Sequence, residues 1–293
     1  MPSGARDQLA ANLAPTDLQS LLIAVAAARV ARVRPADIVA RWRRDRFVQP
    51  SACDPRRVSA VEAALWQLLP DAFVGIELSP VAPLGTCAAL ANVSQNRIVT
   101  TMRLSEVVSD SANALAIEAA VRRLSQPADE QVHLAASHRQ LRAQAFAPGA
   151  ATHFRLFTLV SSARDTGSAR TEADLLRRHL AFWTGVLETT VPNRTPQIEL
   201  AVFDHPVVAA RLADTVLPAH CGERVRIVVD PARERGRGYY TSLAMRLSAD
   251  AGAFEIGEGG FTTWTAQLTG NAKERCLVSC IATERLADLA DQP

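Results

Sequence analysis

Four stretches of the chain gather residues that can do chemistry. The first runs from His138 to Leu159, HRQLRAQAFAPGAATHFRLFTL, and reads as two strands joined at Ala147-Pro148-Gly149-Ala150. Residues two apart share a face of a strand. Arg142 and Gln144 therefore form one face of the first strand, and His153, Arg155 and Phe157 one face of the second. Guanidinium groups grip phosphate bidentately, an aromatic ring stacks on a base, and an amide pairs with a base edge. The segment has the makings of a nucleotide site, and it also fits an ordinary half-exposed hairpin with a polar face. The second stretch, Arg235 to Ser242 (RGRGYYTS), holds both tyrosines of the chain, Tyr239 and Tyr240. Adjacent strand residues point to opposite faces, so at most one tyrosine enters a given pocket. Gly236 and Gly238 let backbone or ligand come close. The third, Gly257-Glu258-Gly259-Gly260-Phe261, reads as a glycine turn opening a helix whose free N–H groups favour an anion. The fourth, Leu277 to Leu286, is a strand of small residues followed by a helix with Glu284 and Arg285 in its first turn.

The elements that must position these residues follow from periodicity and punctuation. Helices are expected at 16–32, at 35–47 from Pro35, and at 55–69 with Val58, Val61, Ala64, Leu65 and Leu68 on one face. Phe73–Leu78 reads as a strand closed by Ser79-Pro80, since proline cannot continue a sheet ladder. Arg97–Met102 is strand-like, 111–124 a helix, and 132–136, 138–146 and 152–161 three strands. A long amphipathic helix spans 171–187. Strands follow at 198–203, 224–229, 239–247, 253–256 and 275–281, with helices at 261–268 and 283–289. Consecutive strands flanked by helices indicate an α+β fold with a largely antiparallel sheet. The soft boundary divides an N-terminal helical segment, 1–54, from one domain at 55–293.

Composition sets the limits. A chain of 293 residues holds one large or two small domains. Apolar residues at 48% and charged residues at 21% exclude disordered, collagenous and coiled-coil classes. The net charge of +2 is no nucleic-acid footprint. Lys273 is the single lysine, so anion contacts by basic side chains fall to arginine. Five scattered cysteines form no disulfide framework, and Cys276 and Cys280 lack the neighbours of a zinc site. The N-terminus lacks the order of a secretion signal, and the apolar run Leu21–Val30 is far short of the ~20 residues of a membrane span. The expectation is a soluble, cytoplasmic protein without membrane contact.

In this order the four stretches resemble the class II aminoacyl-tRNA synthetases. Arg142-Ala143-Gln144 and His153 to Phe157 look like motif 2, and the strand-to-helix ATERL resembles motif 3. RGRGYYTS is similar to the histidine-contacting stretch of histidyl-tRNA synthetase, and GEGGF to that enzyme's glycine turn. The helix at 55–69 with the strand ending at Pro80 fits the dimer-forming motif 1, and TMRLSE is similar to the stretch that holds the amino group. The resemblance covers about 55–290 and extends to the regulatory-subunit paralogues of ATP phosphoribosyltransferase.

It implies a synthetase-like antiparallel sheet flanked by helices, ATP and Mg2+ as cofactors, and a homodimer. Arg142 would bind the α-phosphate, and Arg155 is a further cofactor-binding candidate. Phe157 and Arg285 would sandwich adenine, Gln144 would accept from its amino group, and His153 would approach the terminal phosphates. Arg235 would sit by the reacting carboxylate, with Tyr239 or Tyr240 lining the acid pocket. Glu106 and Glu258 are the candidates for substrate or magnesium contacts. The departures are Gln144 for glutamate, Arg237-Gly238 for Leu-Asp, Phe261 for arginine, and Cys280 and Ala282 for glycines. Neither an anticodon-binding segment nor a tRNA-sized basic patch is visible, and ARWRRDR at 40–46 reads as a solvated helix face. Two functions follow from the resemblance. One is ATP-dependent activation of a small carboxylic or amino acid as an acyl-adenylate. The other is a non-catalytic paralogue that binds a ligand or a protein partner.

Overall fold

The computed structural model describes residues 4–145 and 151–290. The turn expected at 147–150 lies outside the described residues. The chain divides into two compact units, one of Met1–Ser51, Ser79–Ser109 and Leu141–His153, the other of Ala52–Leu78, Asp110–Gln140 and Phe154–Pro293.

The first unit holds the short helix α1 (Ala5–Asp7), then α2 (Pro15–Val30) and α3 (Pro35–Arg44). Prolines at the first turns of α2 and α3 pre-set the helical φ and withhold an N–H that would have no partner there. None of these helices contains a buried residue. The unit also contains the antiparallel pair β2 (Val81–Pro83) and β3 (Ser105–Val107), with α5 (Thr86–Ala91) between them. Its α4 counterpart in the numbering, Pro55–Leu68, belongs to the second unit.

In the second unit α4 is capped by Asp54, whose carboxylate accepts from Arg56 N at 2.9 Å. The strands are β1 (Val74–Gly75), β4 (Val132–Leu141), β5 (His153–Arg164), β6 (Gln197–Val202), β7 (Arg226–Val229), β8 (Leu243–Ala249), β9 (Phe254–Thr262) and β10 (Glu274–Ala282). They form one sheet in the order β1-β4-β5-β10-β9-β8-β6-β7. The central ladders β5–β10, β10–β9, β9–β8 and β8–β6 are antiparallel, and β1–β4 and β6–β7 are parallel. The helices are α6 (Ser111–Ser125), α7 (Arg170–Thr190), α8 (Pro206–Arg211), α9 (Trp264–Thr269) and α10 (Thr283–Ala290).

The two faces of this sheet differ in chemistry. One face buries Phe157, Leu159, Leu277, Met245, Leu200 and Ile198 against α7, together with Val58 and Leu65 of α4 and Leu286 of α10. This is the hydrophobic core. A chain of buried polar groups runs through it. Trp183 Nε1 donates to Ser279 Oγ at 2.7 Å, and Ser279 bonds His179 Nδ1 at 2.7 Å. His179 Nε2 bonds Ser161 Oγ at 2.8 Å, Ser161 bonds His133 Nδ1 at 2.8 Å, and His133 Nε2 meets Gln131 Oε1 at 3.0 Å. Gln131 Oε1 can only accept, so with both imidazoles neutral every proton along the chain points the same way and each ring is protonated on Nε2. Burial supports the same state, holding the pKa of His133 at about 4 and of His179 at about 3.

Several sequence expectations change. The strands expected at 132–136 and 138–146 are one strand, Val132–Leu141. Arg97–Met102 forms no strand; Gln95–Arg97 is a short 3-10 turn, and Thr100 makes a single bridge to Glu106. The glycines at 257–260 are not a turn before a helix but the middle of β9, so no helix N-terminus opens there. Polypeptide without side chains packs well in the middle of a crowded sheet, and a glycine run carries no local mark of that context.

Candidate functional site

The second face of the sheet is small and polar. Cross-strand register places Thr158, Cys280, Glu258 and Arg246 side by side across β5, β10, β9 and β8, with Glu199 of β6 next to Arg246. Asp110 caps α6 through Ala112 N at 2.9 Å and delivers Ser111 onto this face. Ser111 Oγ bonds Thr158 Oγ1 at 2.6 Å and accepts from Gln140 Nε2 at 3.0 Å. The Gln140 Oε1 is buried without a partner.

The RGRGYYTS stretch is a turn before β8, not part of it. Tyr239 N and Tyr240 N both bond Gly236 O, and Gly236 has φ of +95°. The Tyr240 ring lies over Gly260, where a Cβ would stand 2.5 Å from two of its ring atoms, so only glycine fits beneath it. Tyr239 packs edge-on to Tyr240 at 4.9 Å and to Trp264 at 5.8 Å. Tyr240 is buried, and burial followed by the Glu258 carboxylate pushes its phenol well above the usual range. It therefore acts only as a neutral hydroxyl.

The charges of this face are matched. Arg235 donates to Glu255 through Nη1 at 2.7 Å and Nη2 at 2.9 Å, and stands 3.7 Å from Glu258. Its partial burial works against the cation, but the Glu255 bond outweighs that and raises its pKa. Glu199 bridges Arg233 at 3.1 Å and Arg246 at 2.9 Å. Three arginines thus face three glutamates. Arg285, at the start of α10, bonds only the Glu255 carbonyl, at 3.2 Å, and has no carboxylate partner among the described residues.

The other expected site residues are placed as follows. Phe157 lies on the core face, fully buried, with Trp66 at 4.7 Å, Phe182 at 5.8 Å and Trp183 at 6.5 Å. No base can stack on it, and the expected adenine sandwich with Arg285 is corrected. Alternation along β5 puts Phe154 on the face of Thr158 instead, a residue the sequence reading missed. Arg155 belongs with Phe157 and pairs with Glu62 at 3.0 Å. In the first unit Glu106 is buried, accepting from Gly85 N, Cys87 N and Gln95 Nε2 at 2.8, 3.0 and 3.1 Å. Its carboxylate holds a loop together, which corrects its expected substrate or metal role. Arg142 Nε donates to Ser109 O at 2.9 Å, and His153 Nε2 bonds Gln49 O at 2.6 Å. The Gln144 carbonyl accepts from Arg46 at 2.8 Å. The expected face of Arg142 and Gln144 falls beyond the end of β4, where strand alternation no longer operates.

ATP and Mg2+ would have to be held by this chemistry. The polyphosphate carries about four negative charges, and the arginines of the sheet face are already neutralised except Arg285. Among the described residues no group of three His, Cys, Asp or Glu side chains could hold a metal ion. The sheet-face residues do not fit magnesium triphosphate as they stand.

Comparison with known proteins adds the following. No family model matches the sequence, and no curated protein matches it. Solved structures do. A Bacillus halodurans C ATP phosphoribosyltransferase regulatory subunit/histidyl-tRNA synthetase superposes with a TM-score of 0.63 at 8% identity, over 85% of this chain and 83% of that one. A histidine–tRNA ligase subunit from Alicyclobacillus acidocaldarius gives 0.59 at 14%, over 84% and 96%. Histidyl-tRNA synthetase from Nostoc sp. PCC 7120 gives 0.58 at 14%, over 83% and 74%. The fold is that of the class II synthetases. The face packed by α7 holds the core; α6 and α9 cover part of the polar face, and the stretch around Glu258 and Arg235 is its open part. Among the described residues no helix is long and apolar enough to cross a membrane.

Proposed function

We propose that this chain is a non-catalytic, synthetase-like subunit. It binds a small zwitterionic ligand, of amino-acid type, on the open sheet face and acts through a protein partner. One observation carries this reading: Arg233, Arg235 and Arg246 are each held by Glu199, Glu255 or Glu258. Joining a carboxylate to an α-phosphate brings two anions together, which requires cations that are not already neutralised. A face on which an unpaired Arg285 and the partly exposed Glu258 stand beside matched ion pairs instead suits a ligand bearing both an ammonium and a carboxylate group. Glu258 suits the first, Arg285 the second, and the Tyr240 hydroxyl and Gln140 Oε1 supply neutral contacts.

The likeness to the Bacillus halodurans C regulatory subunit/histidyl-tRNA synthetase supports the synthetase-like fold on which the reading rests. Pyrophosphate exchange into ATP over a panel of amino acids is the test. The expected result is no exchange, together with a thermal shift by at least one amino acid in the absence of ATP. Exchange supported by an amino acid and lost in Arg285→Ala overturns the proposal and establishes acyl-adenylate formation. A homodimer through residues 55–80 is part of the proposal, because edge strand β1 leaves Val74 47% exposed.

A further inference from the structure

The first unit carries apolar side chains that nothing in the chain covers. α2 and α3 contain no buried residue, and neither packs extensively against another element. Helices in proteins are stabilised mainly by packing an apolar face, so a helix left bare in this way calls for a surface to lie on. On α3, Ile38, Val39 and Trp42 are 56%, 52% and 50% exposed. At about 100° per residue these side chains, with Pro35, occupy about 100° of the helix circumference and form one stripe.

The charges around that stripe are one-sided. Between Arg29 and Arg46 stand seven arginines and two aspartates, which leaves the rest of the chain net acidic. Asp37 is held by Arg34, through Nη2 at 3.1 Å and Nε at 3.2 Å, and Asp45 accepts from Phe47 N at 2.9 Å. Arg41, Arg43 and Arg44 are exposed and form no ion pair among the described residues. Around the helix axis Arg41 and Arg43 lie about 100° to either side of the stripe's centre, while Asp37 and Arg44 point away from it. Cations thus border the apolar stripe on both sides, and the acid of the helix stands behind it.

We propose that α3 lies in the plane of an anionic phospholipid surface. Ile38, Val39 and Trp42 enter the boundary between headgroups and acyl chains, and Arg41 and Arg43 meet the phosphates on either side. A helix in this position needs a charged side, an apolar side that carries an aromatic ring, and low overall hydrophobicity. Clustered arginines on such a helix favour anionic lipid. A nucleic acid is met by the guanidinium groups themselves, whereas the bare stripe of α3 is apolar and has its cations at the edges. A second copy of α3 would bring like charges together, which opposes self-association. Lying in the plane needs no spanning helix, and none of the described helices is long and apolar enough to cross a bilayer. This contact departs from the expected absence of membrane contact, and it does not depend on what the sheet face binds.

Co-sedimentation of the full chain with vesicles tests this, with phosphatidylcholine alone set against an equimolar mixture of phosphatidylcholine and phosphatidylglycerol. Binding to the anionic vesicles is expected to be about ten-fold tighter or more, and to be lost as salt rises from about 0.05 to about 0.5 M. Arg41→Gln, Arg43→Gln and Arg44→Gln combined are expected to weaken it about ten-fold or more, and Trp42→Ser about five-fold. All of these positions are exposed, so both variants are expected to keep the melting temperature of the parent. Phospholipid with brominated acyl chains is expected to quench the tryptophan fluorescence of the parent and to quench Trp42→Phe much less. The proposal is overturned if the two kinds of vesicle bind alike, if the triple variant binds as the parent does, or if Trp42→Phe leaves the quenching unchanged. Polyuridylate that stays bound in salt that releases the vesicles overturns it in favour of a nucleic acid. A smaller sedimenting species for Trp42→Ser than for the parent, without vesicles, overturns it in favour of a second copy.

Discussion

Phe154 and Phe157 stand three residues apart on β5 and have opposite fates. Phe157 is packed among Trp66, Phe182 and Trp183. Truncating it leaves a cavity in a close-packed core, so Phe157→Ala is expected to cost about 3–5 kcal/mol, read by urea denaturation. Phe154 lies on the open face and is half-buried. Phe154→Ala is expected to cost much less stability and to weaken ligand binding instead. A Phe157→Ala protein of undiminished stability would refute the facial assignment. Glu258 allows a second test at this scale. Glu258→Gln keeps the shape and removes the carboxylate beside Arg235, leaving Glu255 as the partner of Arg235. An amino acid that shifts the melting temperature of the parent is expected to lose that effect in Glu258→Gln. Equal shifts in both proteins would exclude Glu258 as the ammonium partner.

At the scale of elements, the buried chain from Trp183 to Gln131 ties α7 to β10, β5 and β4. His133 and His179 titrate near 6.5 in the unfolded chain and at about 4 and 3 in the fold. A group whose folded pKa is depressed contributes stability above its unfolded pKa and loses it as the pH falls. Below pH 6.5 the unfolded state takes up protons that the folded state refuses. At pH 5 the loss is about 2 kcal/mol for each histidine. Thermal melts at pH 7.5, 6 and 5 are expected to fall steadily. His179→Gln should be less stable at pH 7.5 and show a flatter decline. Parallel pH profiles for the parent and His179→Gln would disprove the protonation state of the chain. Much of the element pattern was legible beforehand. The helix expected at 171–187 is Arg170–Thr190, and the strand expected at 275–281 is Glu274–Ala282, because both carry strong periodicity and sit between turn signals. The site was less legible. Arg142 and Gln144 satisfy the spacing of a shared strand face, but β4 ends at Leu141. His153, Arg155 and Phe157 do share a face, but it is the core one, since alternation groups residues without saying which face is buried.

For the whole molecule, the net charge of +2 hides a finer balance in which the arginines of the open sheet face are matched by glutamates. The proposed dimer belongs at this scale too. Sedimentation is expected to give twice the chain mass, and Val74→Asp, at an exposed edge-strand position, to shift it to the monomer without loss of fold. A monomeric parent would remove the dimer from the proposal. The amino-acid sequence alone determined the long helices, most of the strands, the α+β class and the resemblance to the class II synthetases, because these rest on local periodicity and on the order of short motifs; the short helices α5 and α8 left no such signal. Only the tertiary structure decided that the glycines of 257–260 lie within a strand beneath Tyr240, that Phe157 faces the core, and that Arg235 is held by Glu255. Each of those depends on which residues distant in the chain come to lie within a few ångströms, and cross-strand contacts leave no local trace in the order of the residues.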